Sequence, residues 1–252
     1  MSSKVVFVTG ASSGIGRALA LEYAHRGARL AIAARREAEL VLLRHELERA
    51  KARVLVLPLD VRDAAATHEA LSRADRDLGA LDVVVANAGV SAAGPPGTIA
   101  WSDVERVIDV NVKGAICTLV HALPIMMMHG KGHLVGVSSL AGRAGLPQSA
   151  IYSASKAALS TYLQSLRVDL RKVGIDVSDV QAGFVRTPMT EGSGFPRPFE
   201  WEAPKAARYI VDKLDRRPAV VDFQFPLTAL TQLVRVMPRG VYDRLAPIVV
   251  RR

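Results

Sequence analysis

The sequence predicts an α/β protein built on one doubly wound parallel sheet of about seven strands, with helices on both faces. Short runs rich in Val, Ile and Leu alternate with longer segments of helical periodicity, and the connections between them are short. The strand segments are almost continuously apolar, which is typical of strands buried on both faces. With 252 residues, half of them apolar, the chain is long enough for a single sizeable domain.

The elements follow one another in regular alternation. The predicted strands cover residues 4–9, 29–34, 53–58, 81–86, 133–138, 176–180 and 219–223. The predicted helices cover residues 14–26, 37–50, 64–78, 102–128, 152–171 and 203–214. A capping-box match, Ser102 followed by Glu105, marks the start of the fourth helix. We assign residues 1–223 to one α/β domain and residues 224–252 to a C-terminal extension of that domain.

Charge and composition exclude several classes of protein. The chain carries 33 Lys and Arg against 24 Asp and Glu, for a formal net charge of +9. The basic residues are scattered and are not interleaved with aromatic residues, so we expect no nucleic-acid binding. An anionic membrane surface or a phosphate-rich ligand would also explain the charge. The six histidines lack the spacing of metal ligands, and we expect no metal site.

Cysteine usage and hydropathy bear on the compartment. Cys117 is the single cysteine, which excludes an internal disulfide and fits a reducing environment, so we expect a cytoplasmic protein. The first residues lack the pattern of a signal peptide. No run approaches 18 apolar residues, and we therefore expect no membrane-spanning helix.

A glycine-rich turn joins the first strand to the first helix. Glycines allow the backbone to approach a pyrophosphate closely, and the free N–H groups of a helix N-terminus face it. The spacing is G-x-x-x-G-x-G, which differs from the G-x-G-x-x-G fingerprint. The predicted phosphate cradle consists of Gly10, Ser12, Ser13, Gly14, Ile15 and Gly16.

The end of the second strand indicates which dinucleotide binds. NAD sites usually place an acidic residue there to bond the ribose 2′-hydroxyl, whereas an arginine accommodates a 2′-phosphate. The strand ends in Arg35 and Arg36 with no acid, so we expect Arg35 to select NADP(H) over NAD(H). The later strand ends supply further predicted cofactor contacts, namely Asp60, Val61, Asn87, Ala88 and Gly89.

An unusual pair of residues lies on the apolar stripe of the helix predicted over 152–171. Tyr152 and Lys156 share that stripe with four leucines, all within about 40° of one line along the helix. Lysine is almost never fully buried without a partner. A nearby ammonium stabilises phenolate, so Lys156 is expected to lower the pKa of Tyr152 and make it a general acid and base near neutral pH. Alternatively, both side chains could extend to the surface of an ordinary amphipathic helix.

Two further polar residues occupy the same edge of the predicted sheet. Ser139 follows the fifth strand, where its hydroxyl could polarise a substrate carbonyl. Asn111 falls on the buried face of the long fourth helix, and a buried amide must be hydrogen-bonded. Asn111 could bridge to the backbone or hold a water in a proton path.

Two segments remain beyond these motifs. Residues 188–204 are predicted to form a lid, whose aromatic residues Phe195, Phe199 and Trp201 would turn an apolar face toward a ligand. The tail, residues 224–252, combines an apolar helical face with five arginines. It could cover the substrate pocket, form a subunit contact or lie on a membrane surface.

Taken together, these motifs resemble the short-chain dehydrogenase/reductase family over residues 4–223. The resemblance is carried, in the family's order and spacing, by Thr9, Gly10, Gly14, Gly16, Asp60, Asn87, Ala88, Gly89, Asn111, Ser139, Tyr152, Lys156, Gly183, Val185 and Thr187. Three positions depart from the family's pattern: Ala182 replaces a proline, Ala86 replaces an asparagine, and Ser13 stands where some NADP-preferring members have a basic residue.

The resemblance implies a three-layer, Rossmann-type domain, NAD(P)-dependent chemistry, and a homodimer or homotetramer. It implies that Asn111, Ser139, Tyr152 and Lys156 are the catalytic residues. Gly183, Val185 and Thr187 are implied to flank the nicotinamide.

We therefore predict an NADP(H)-dependent enzyme that interconverts a ketone and a secondary alcohol on an apolar substrate, with Tyr152 as the general acid and base. Two other readings stay open. One is a dinucleotide-sensing or scaffold protein without turnover. The other is a reductase of lipid-derived ketones at a membrane surface, for which the tail would provide peripheral contact.

Overall fold

The computed structural model describes residues 3–95, 97–191 and 197–250. Seven parallel strands form one sheet in the order β3-β2-β1-β4-β5-β6-β9. These strands are β1 Val5–Thr9, β2 Arg29–Ala34, β3 Val54–Pro58, β4 Val83–Ala86, β5 Gly132–Ser139, β6 Ile175–Ala182 and β9 Val220–Asp222. Two short strands, β7 Val185–Arg186 and β8 Trp201–Glu202, pair with each other beside it. The predicted fold class is confirmed.

Helices cover both faces of the sheet, as predicted. They are α1 Gly14–His25, α2 Glu37–Arg49, α3 Ala64–Leu78, α4 Trp101–Ile108, α5 Ala115–Met128, α6 Ala150–Asp169, α7 Ala203–Leu214, α8 Phe225–Val236 and α9 Arg239–Val250. One apolar core lies between the sheet and α1, α2 and α7. The second lies between the sheet and α3, α5 and α6.

The helix predicted over 102–128 differs from the prediction in two ways. It begins at Trp101 with Ala100 as its N-cap, and no capping side chain bonds the first turn, so the capping-box prediction at Ser102 was wrong. The helix also changes hydrogen-bonding pattern at Asp109–Gly114, which forms a π-helical turn between α4 and α5. Such turns widen the helix by one residue and are frequent at functional sites.

By length and composition alone, residues 101–128 could span a membrane. Half of the apolar window is buried, however, and Leu119 and Met126 pack against the sheet. This stretch is therefore a core helix of the domain.

The leucine stripe of α6 packs within the chain. Leu159 and Leu163 are fully buried, and they contact the core on the α3 and α5 side of the sheet. Lys156 on the same stripe is also buried, with 4% of its surface exposed. The stripe therefore faces this chain's own sheet.

The tail begins with a buried residue. Gln224 is 4% exposed and adopts a left-handed backbone conformation with φ of 70°. Its side-chain amide donates to the carbonyl of Phe184 at 2.5 Å, and its Oε1 accepts from the Phe184 N–H at 2.9 Å. The start of the tail is thereby tied to the chain that follows β6.

Candidate active site

The glycine-rich turn is held against the end of β4 by hydrogen bonds. The Thr9 hydroxyl accepts from the backbone N–H groups of Asn87 and Ala88, at 3.0 and 3.1 Å. The Asn87 amide donates in return to the carbonyl of Thr9 at 2.9 Å. Because parallel strands end at the same edge, β1 and β4 meet at the point where the strand order reverses, which is where such sheets bind ligands.

Two glycines are required by this close approach. Gly10 has φ of 67°, a conformation that favours glycine. A Cβ on Gly16 would lie 2.3 Å from the Asn87 amide nitrogen and 2.5 Å from the Gly10 carbonyl oxygen. Gly16 is therefore needed where the turn packs against Asn87, and it does not line the cleft.

Arginine side chains surround the hydroxyls of the turn. The guanidinium of Arg36 donates to the Ser12 hydroxyl at 3.0 Å and to the Ser13 hydroxyl at 2.7 Å. Arg35 lines the same cleft. The side chain of Arg36 therefore places a positive charge beside Ser13. This contact of Arg36 was not predicted from the sequence, because a second arginine after a strand is typical of a solvated charge.

Asp60 is engaged by a neighbouring residue. The Arg62 guanidinium bonds both carboxylate oxygens of Asp60, at 2.6 to 3.0 Å. These hydrogen bonds hold the pKa of the Asp60 carboxyl below its usual value, with a smaller contribution from the charge of Arg35. Asp60 is thus a fixed anion in the same cleft as Arg35.

Asn111 lies in the π-helical turn and is buried. Its Oδ1 accepts from the Val90 N–H at 2.8 Å, and its amide nitrogen donates to the Val90 carbonyl at 2.9 Å. The same nitrogen donates to the Ser155 hydroxyl at 3.0 Å. Of the two roles predicted for Asn111, the structure contains the backbone bridge, which joins the loop after β4 to α6.

Tyr152 projects from the first turn of α6 toward the end of β5. Tyr152 and Ser139 line the same cleft, and the Ser139 hydroxyl donates to the Ala182 carbonyl at 3.1 Å. Burial raises the pKa of Tyr152 above its usual value, and the neighbouring Ser139 hydroxyl opposes that shift. The phenol is therefore protonated at neutral pH.

Lys156 lies near Tyr152 but bonds elsewhere. Its Nζ is 5.8 Å from the centre of the Tyr152 ring and donates to the Val137 carbonyl at 2.9 Å. Burial lowers the pKa of Lys156 to about 8, although the carboxylate of Asp179 raises it. The expectation that Lys156 lowers the pKa of Tyr152 was wrong for this arrangement, because burial dominates the phenol and the ammonium faces the strand.

A single cleft of about 540 Å³ joins these features. The predicted residues that line it are Gly10, Ser12, Ser13, Gly14, Ile15, Arg35, Asp60, Val61, Asn87, Ala88, Gly89, Ser139, Tyr152, Lys156, Gly183, Val185 and Thr187. Asn111 and Gly16 do not line the cleft but lie behind the residues that do. Arg106 and Ser91 also line it and were not predicted, because neither belongs to a recognisable motif.

The lid differs from the prediction. Trp201 stacks on Phe223 with ring centres 5.0 Å apart and meets Tyr209 edge to face, so it packs beside α7 and does not line the cleft. Phe199 is 58% exposed and also lies outside the cleft wall. Phe195 lies outside the described residues. The described lid residues that reach the cleft are Pro188, Met189 and Thr190.

The shape and chemistry of the cleft fit a dinucleotide. The turn at Gly10 and Gly14 offers closely approachable backbone, both with positive φ, at the N-terminus of α1. Guanidinium groups lie at one end of the cleft, and the partly buried phenol of Tyr152 and the buried ammonium of Lys156 lie at the other. Among the described residues, no group of three or more His, Cys, Asp or Glu side chains could hold a metal ion.

Comparisons with known proteins agree with this geometry. The profile of the short chain dehydrogenase family matches residues 4–195. An uncharacterised oxidoreductase of Myxococcus xanthus is 45% identical over 246 residues, which cover 98% of this chain and 97% of that protein. An uncharacterised oxidoreductase of Staphylococcus aureus is 34% identical over 190 residues, which cover 75% of this chain and 81% of that protein.

Solved structures give the same picture. A short chain dehydrogenase/reductase from Burkholderia phymatum in complex with NAD superposes with a TM-score of 0.86 at 25% identity, covering 97% of this chain and 95% of that one. A variant of actinorhodin polyketide ketoreductase with NADPH gives a TM-score of 0.82 at 25% identity, covering 90% of this chain and 97% of that one.

The chain belongs to the short-chain dehydrogenase family. It is an oxidoreductase that acts on CH–OH and C=O groups and binds a nicotinamide dinucleotide.

Proposed function

We propose that the protein is an NADP(H)-dependent carbonyl reductase that converts a ketone on an apolar substrate to a secondary alcohol. The observation that carries this proposal is that Tyr152, Ser139 and Lys156 line one cleft of dinucleotide size together with the glycine-rich turn. Because burial raises its pKa, the phenol carries its proton at neutral pH and is ready to donate it. A proton donor is what the reductive direction requires.

Each residue then has a role in the proton transfer. When bound, the dinucleotide supplies the hydride. Ser139 orients the substrate carbonyl, and Tyr152 gives its proton to the carbonyl oxygen. Lys156 places a positive charge near the phenol and would hold the nicotinamide ribose. Asn111 supports a water path to Lys156 by fixing the chain at Val90.

Replacement of the phenol tests the mechanism. In Tyr152→Phe, kcat for NADPH-dependent ketone reduction should fall by about a thousandfold or more, since general acid catalysis contributes roughly 10²–10⁴. The affinity for NADPH, measured by fluorescence titration, should stay within a few fold. Tyr162→Phe, on the same helix and outside the cleft wall, is the matched control and should keep full activity. Near-normal turnover by Tyr152→Phe would contradict the mechanism.

A ketone panel also separates the enzyme from a sensor or scaffold. NADPH absorbance would be followed with fatty acyl, steroid and aryl ketones. Tight NADPH binding without turnover on any of them would favour the non-catalytic reading. The polar set of Ser139, Tyr152 and Lys156 favours the enzyme, because a sensor needs no buried proton donor.

The preference for NADP(H) rests on the arginines at the adenosine end. Arg35 lines the cleft and Arg36 is anchored on the hydroxyls of the turn, so both could contact a 2′-phosphate. Charged hydrogen bonds of this kind contribute about 1.5–3 kcal/mol each. We expect Arg35→Ala and Arg36→Ala each to reduce the NADPH over NADH preference in kcat/KM by about tenfold or more.

The control for this experiment is an arginine on α2, the helix that directly follows Arg35 and Arg36. Arg44→Ala removes an exposed arginine of α2 that pairs with Glu48, away from the cleft, and should leave the preference unchanged. An unchanged preference in the Arg35→Ala, Arg36→Ala double variant would rule out the assignment.

Assembly and location complete the proposal. We expect a homodimer or homotetramer, and the exposed apolar residues Val120, Met127 and Met128 of α5 and Val168 of α6 support such a contact.

Met189, Val90 and Val110 give the cleft an apolar lining that suits an apolar ketone. We expect a cytoplasmic location. The tail favours a second form of the function, in which the enzyme works at a membrane surface.

A further inference from the structure

Helix α8 turns its apolar side outward. Phe225 and Val236 are 81% and 71% exposed, and Leu230 and Leu233 are both more than half exposed. At 100° per residue, these four side chains and Ala229 fall on one side of the helix, within about 140° of arc. An apolar face of this kind normally packs against the core. None of the described residues of this chain covers it.

The side of α8 that carries Thr228 and Thr231 faces the protein. Arg143, with a side chain only 10% exposed, donates to the Thr228 carbonyl at 3.3 Å and to the Thr231 hydroxyl at 3.4 Å. The same guanidinium donates to Gln181 at 2.7 Å and is ion-paired with Asp222. Rolling the apolar side inward would break these bonds around a buried cation. The outward orientation of α8 is therefore fixed by hydrogen bonding.

The charge of the tail complements an anionic surface. Residues 224–252 contain five arginines and one aspartate, so they contribute +4 of the net charge of +9. Arg235 on α8 and Arg244 on α9 are exposed. An apolar stripe accompanied by arginines is the composition of helices that lie in the interface of anionic membranes. A second copy of this chain would bring the same positive charges together, which opposes self-association on this face.

The tail is also attached next to the cleft. Arg143 and Gly145 belong to the segment between Ser139 and Tyr152, and the Tyr242 hydroxyl donates to the Gly145 carbonyl. α8 and α9 are therefore anchored on the segment that joins two residues of the proposed site.

We propose that α8 docks the protein on an anionic lipid surface, with Phe225, Leu230, Leu233 and Val236 inserted among the acyl chains and the tail arginines near the head groups. The docked face lies beside the 140–149 segment of the cleft. If the proposed function holds, docking gives the enzyme access to apolar ketones dissolved in the lipid.

Vesicle binding tests the docking. The full chain would be floated with vesicles of phosphatidylcholine alone or with 30–40 mol% phosphatidylglycerol (about a third anionic, to give a strong surface potential), at low and at high salt. We expect partition onto the anionic vesicles only, weakened by salt because the attraction is partly electrostatic. The variant Phe225→Ser, Leu233→Ser should lose at least tenfold of its partition, because two large apolar side chains no longer insert.

A matched control removes equally exposed apolar residues from other helices. Leu42→Ser, Trp101→Ser, which lie on α2 and α4 at 60% and 72% exposure, should float like the wild type. Circular dichroism and NADPH binding would confirm that both double variants fold. No flotation of the wild type on anionic vesicles, or equal loss in both double variants, would overturn the proposal.

Two further measurements distinguish the other outcomes. If sedimentation velocity without lipid shows a dimer that Phe225→Ser, Leu233→Ser abolishes, the face is a contact between copies of this chain and the proposal fails. Tyr152→Phe should float like the wild type, since docking needs no turnover. Loss of the proposed reductase activity would therefore leave the docking result standing, and the reverse also holds.

Discussion

The Nζ of Lys156 donates a 2.9 Å hydrogen bond to the carbonyl oxygen of Val137, two residues before Ser139 on β5. The lysine is therefore attached to the sheet, and the buried ammonium is 5.8 Å from the centre of the Tyr152 ring. The bond to Val137 satisfies only one of the three N–H donors of the ammonium. The charge of Lys156 remains available to a group that enters the cleft. Without such a group, the buried charge lowers the stability of the folded protein.

This cost predicts an unusual dependence of stability on pH. Burial lowers the pKa of Lys156 from 10.5 to about 8, so between these values the unfolded chain holds a proton that the folded protein does not. Folding stability should therefore rise as the pH increases from about 8 to 10.5, by on the order of 3 kcal/mol for this group. Urea unfolding across that range should show the rise in the wild type and its absence in Lys156→Met.

The exposed Lys172 provides the comparison. Lys172→Met should keep the wild-type pH dependence. If Lys156→Met and the wild type change in parallel with pH, the buried ammonium is not the cause.

Asp179 is predicted to act on the lysine from the neighbouring strand. Its carboxylate is buried, accepts from the Ser138 hydroxyl and from Gln181, and raises the pKa of Lys156 against the effect of burial. In Asp179→Asn the pKa of Lys156 should fall further, by up to about one pH unit. The alkaline limb of the pH profile of kcat/KM for ketone reduction should shift to lower pH by the same amount.

Asp176→Asn serves as the control, because Asp176 lies at the other end of β6 and pairs with Arg217. It should leave the alkaline limb in place. A profile for Asp179→Asn that coincides with the wild type would show that Asp179 has only a structural role.

Gly183 is predicted to tolerate no side chain, because the Gln224 side chain occupies the space. A Cβ on Gly183 would lie 1.8 Å from the Gln224 Oε1. Gly183→Ala should destabilise the protein by about 1–3 kcal/mol in urea unfolding, since overpacking displaces a buried hydrogen-bonding group. Gly145→Ala, where a Cβ would meet nothing within 4 Å, should be close to neutral.

A double-mutant cycle identifies the cause. Gln224→Ala alone should also destabilise, because it leaves the backbone groups of Phe184 without their partner. Added to Gln224→Ala, the change Gly183→Ala should cost much less than it does alone. Additive effects would mean that the two residues do not collide.

The buried imidazole of His133 is expected to make the folded protein less stable in acid. It is 3% exposed on β5 and bonded to the Ser178 hydroxyl at 2.8 Å. Burial, aided by the charge of Arg217, lowers its pKa from 6.5 to about 4, so the unfolded chain takes up a proton first as the pH falls. Stability should therefore fall from pH 6.5 to pH 4, by on the order of 3 kcal/mol for this group.

Thermal unfolding monitored by circular dichroism measures this effect. His133→Asn should have a smaller loss of stability between pH 6.5 and 4 than the wild type. His25→Asn, an exposed residue at the end of α1, should follow the wild type. Equal losses in all three proteins would exclude His133 as the source.

The sequence predicted the layers well, because alternating apolar runs and helical stripes depend on burial alone. It placed Tyr152 and Lys156 correctly on the buried stripe of one helix. Periodicity does not distinguish an α-helix from a π-helical turn, so the widened turn at Asn111 was not foreseen. The helix begins at Trp101 because capping-box sequences indicate a start without fixing it.

Other differences arise from contacts that no local pattern encodes. Trp201 was assigned to a ligand-facing lid because it follows an irregular stretch, whereas tertiary packing places it on Phe223. Arg36 contacts the glycine-rich turn because the fold brings it next to Ser13, which lies 23 residues earlier in the chain. The pKa of Tyr152 was misjudged because spacing gives the nearest charge but not the extent of burial.

The anchoring of Gln224 to Phe184 has a consequence for how the molecule opens. The predicted boundary at residue 223 falls directly before this buried amide, so the tail and the chain after β6 share one attachment point. Opening of either segment at this point breaks the same pair of bonds, so we expect residues 184 and 224 to be released together. Their backbone amides should accordingly exchange with deuterium as one cooperative unit.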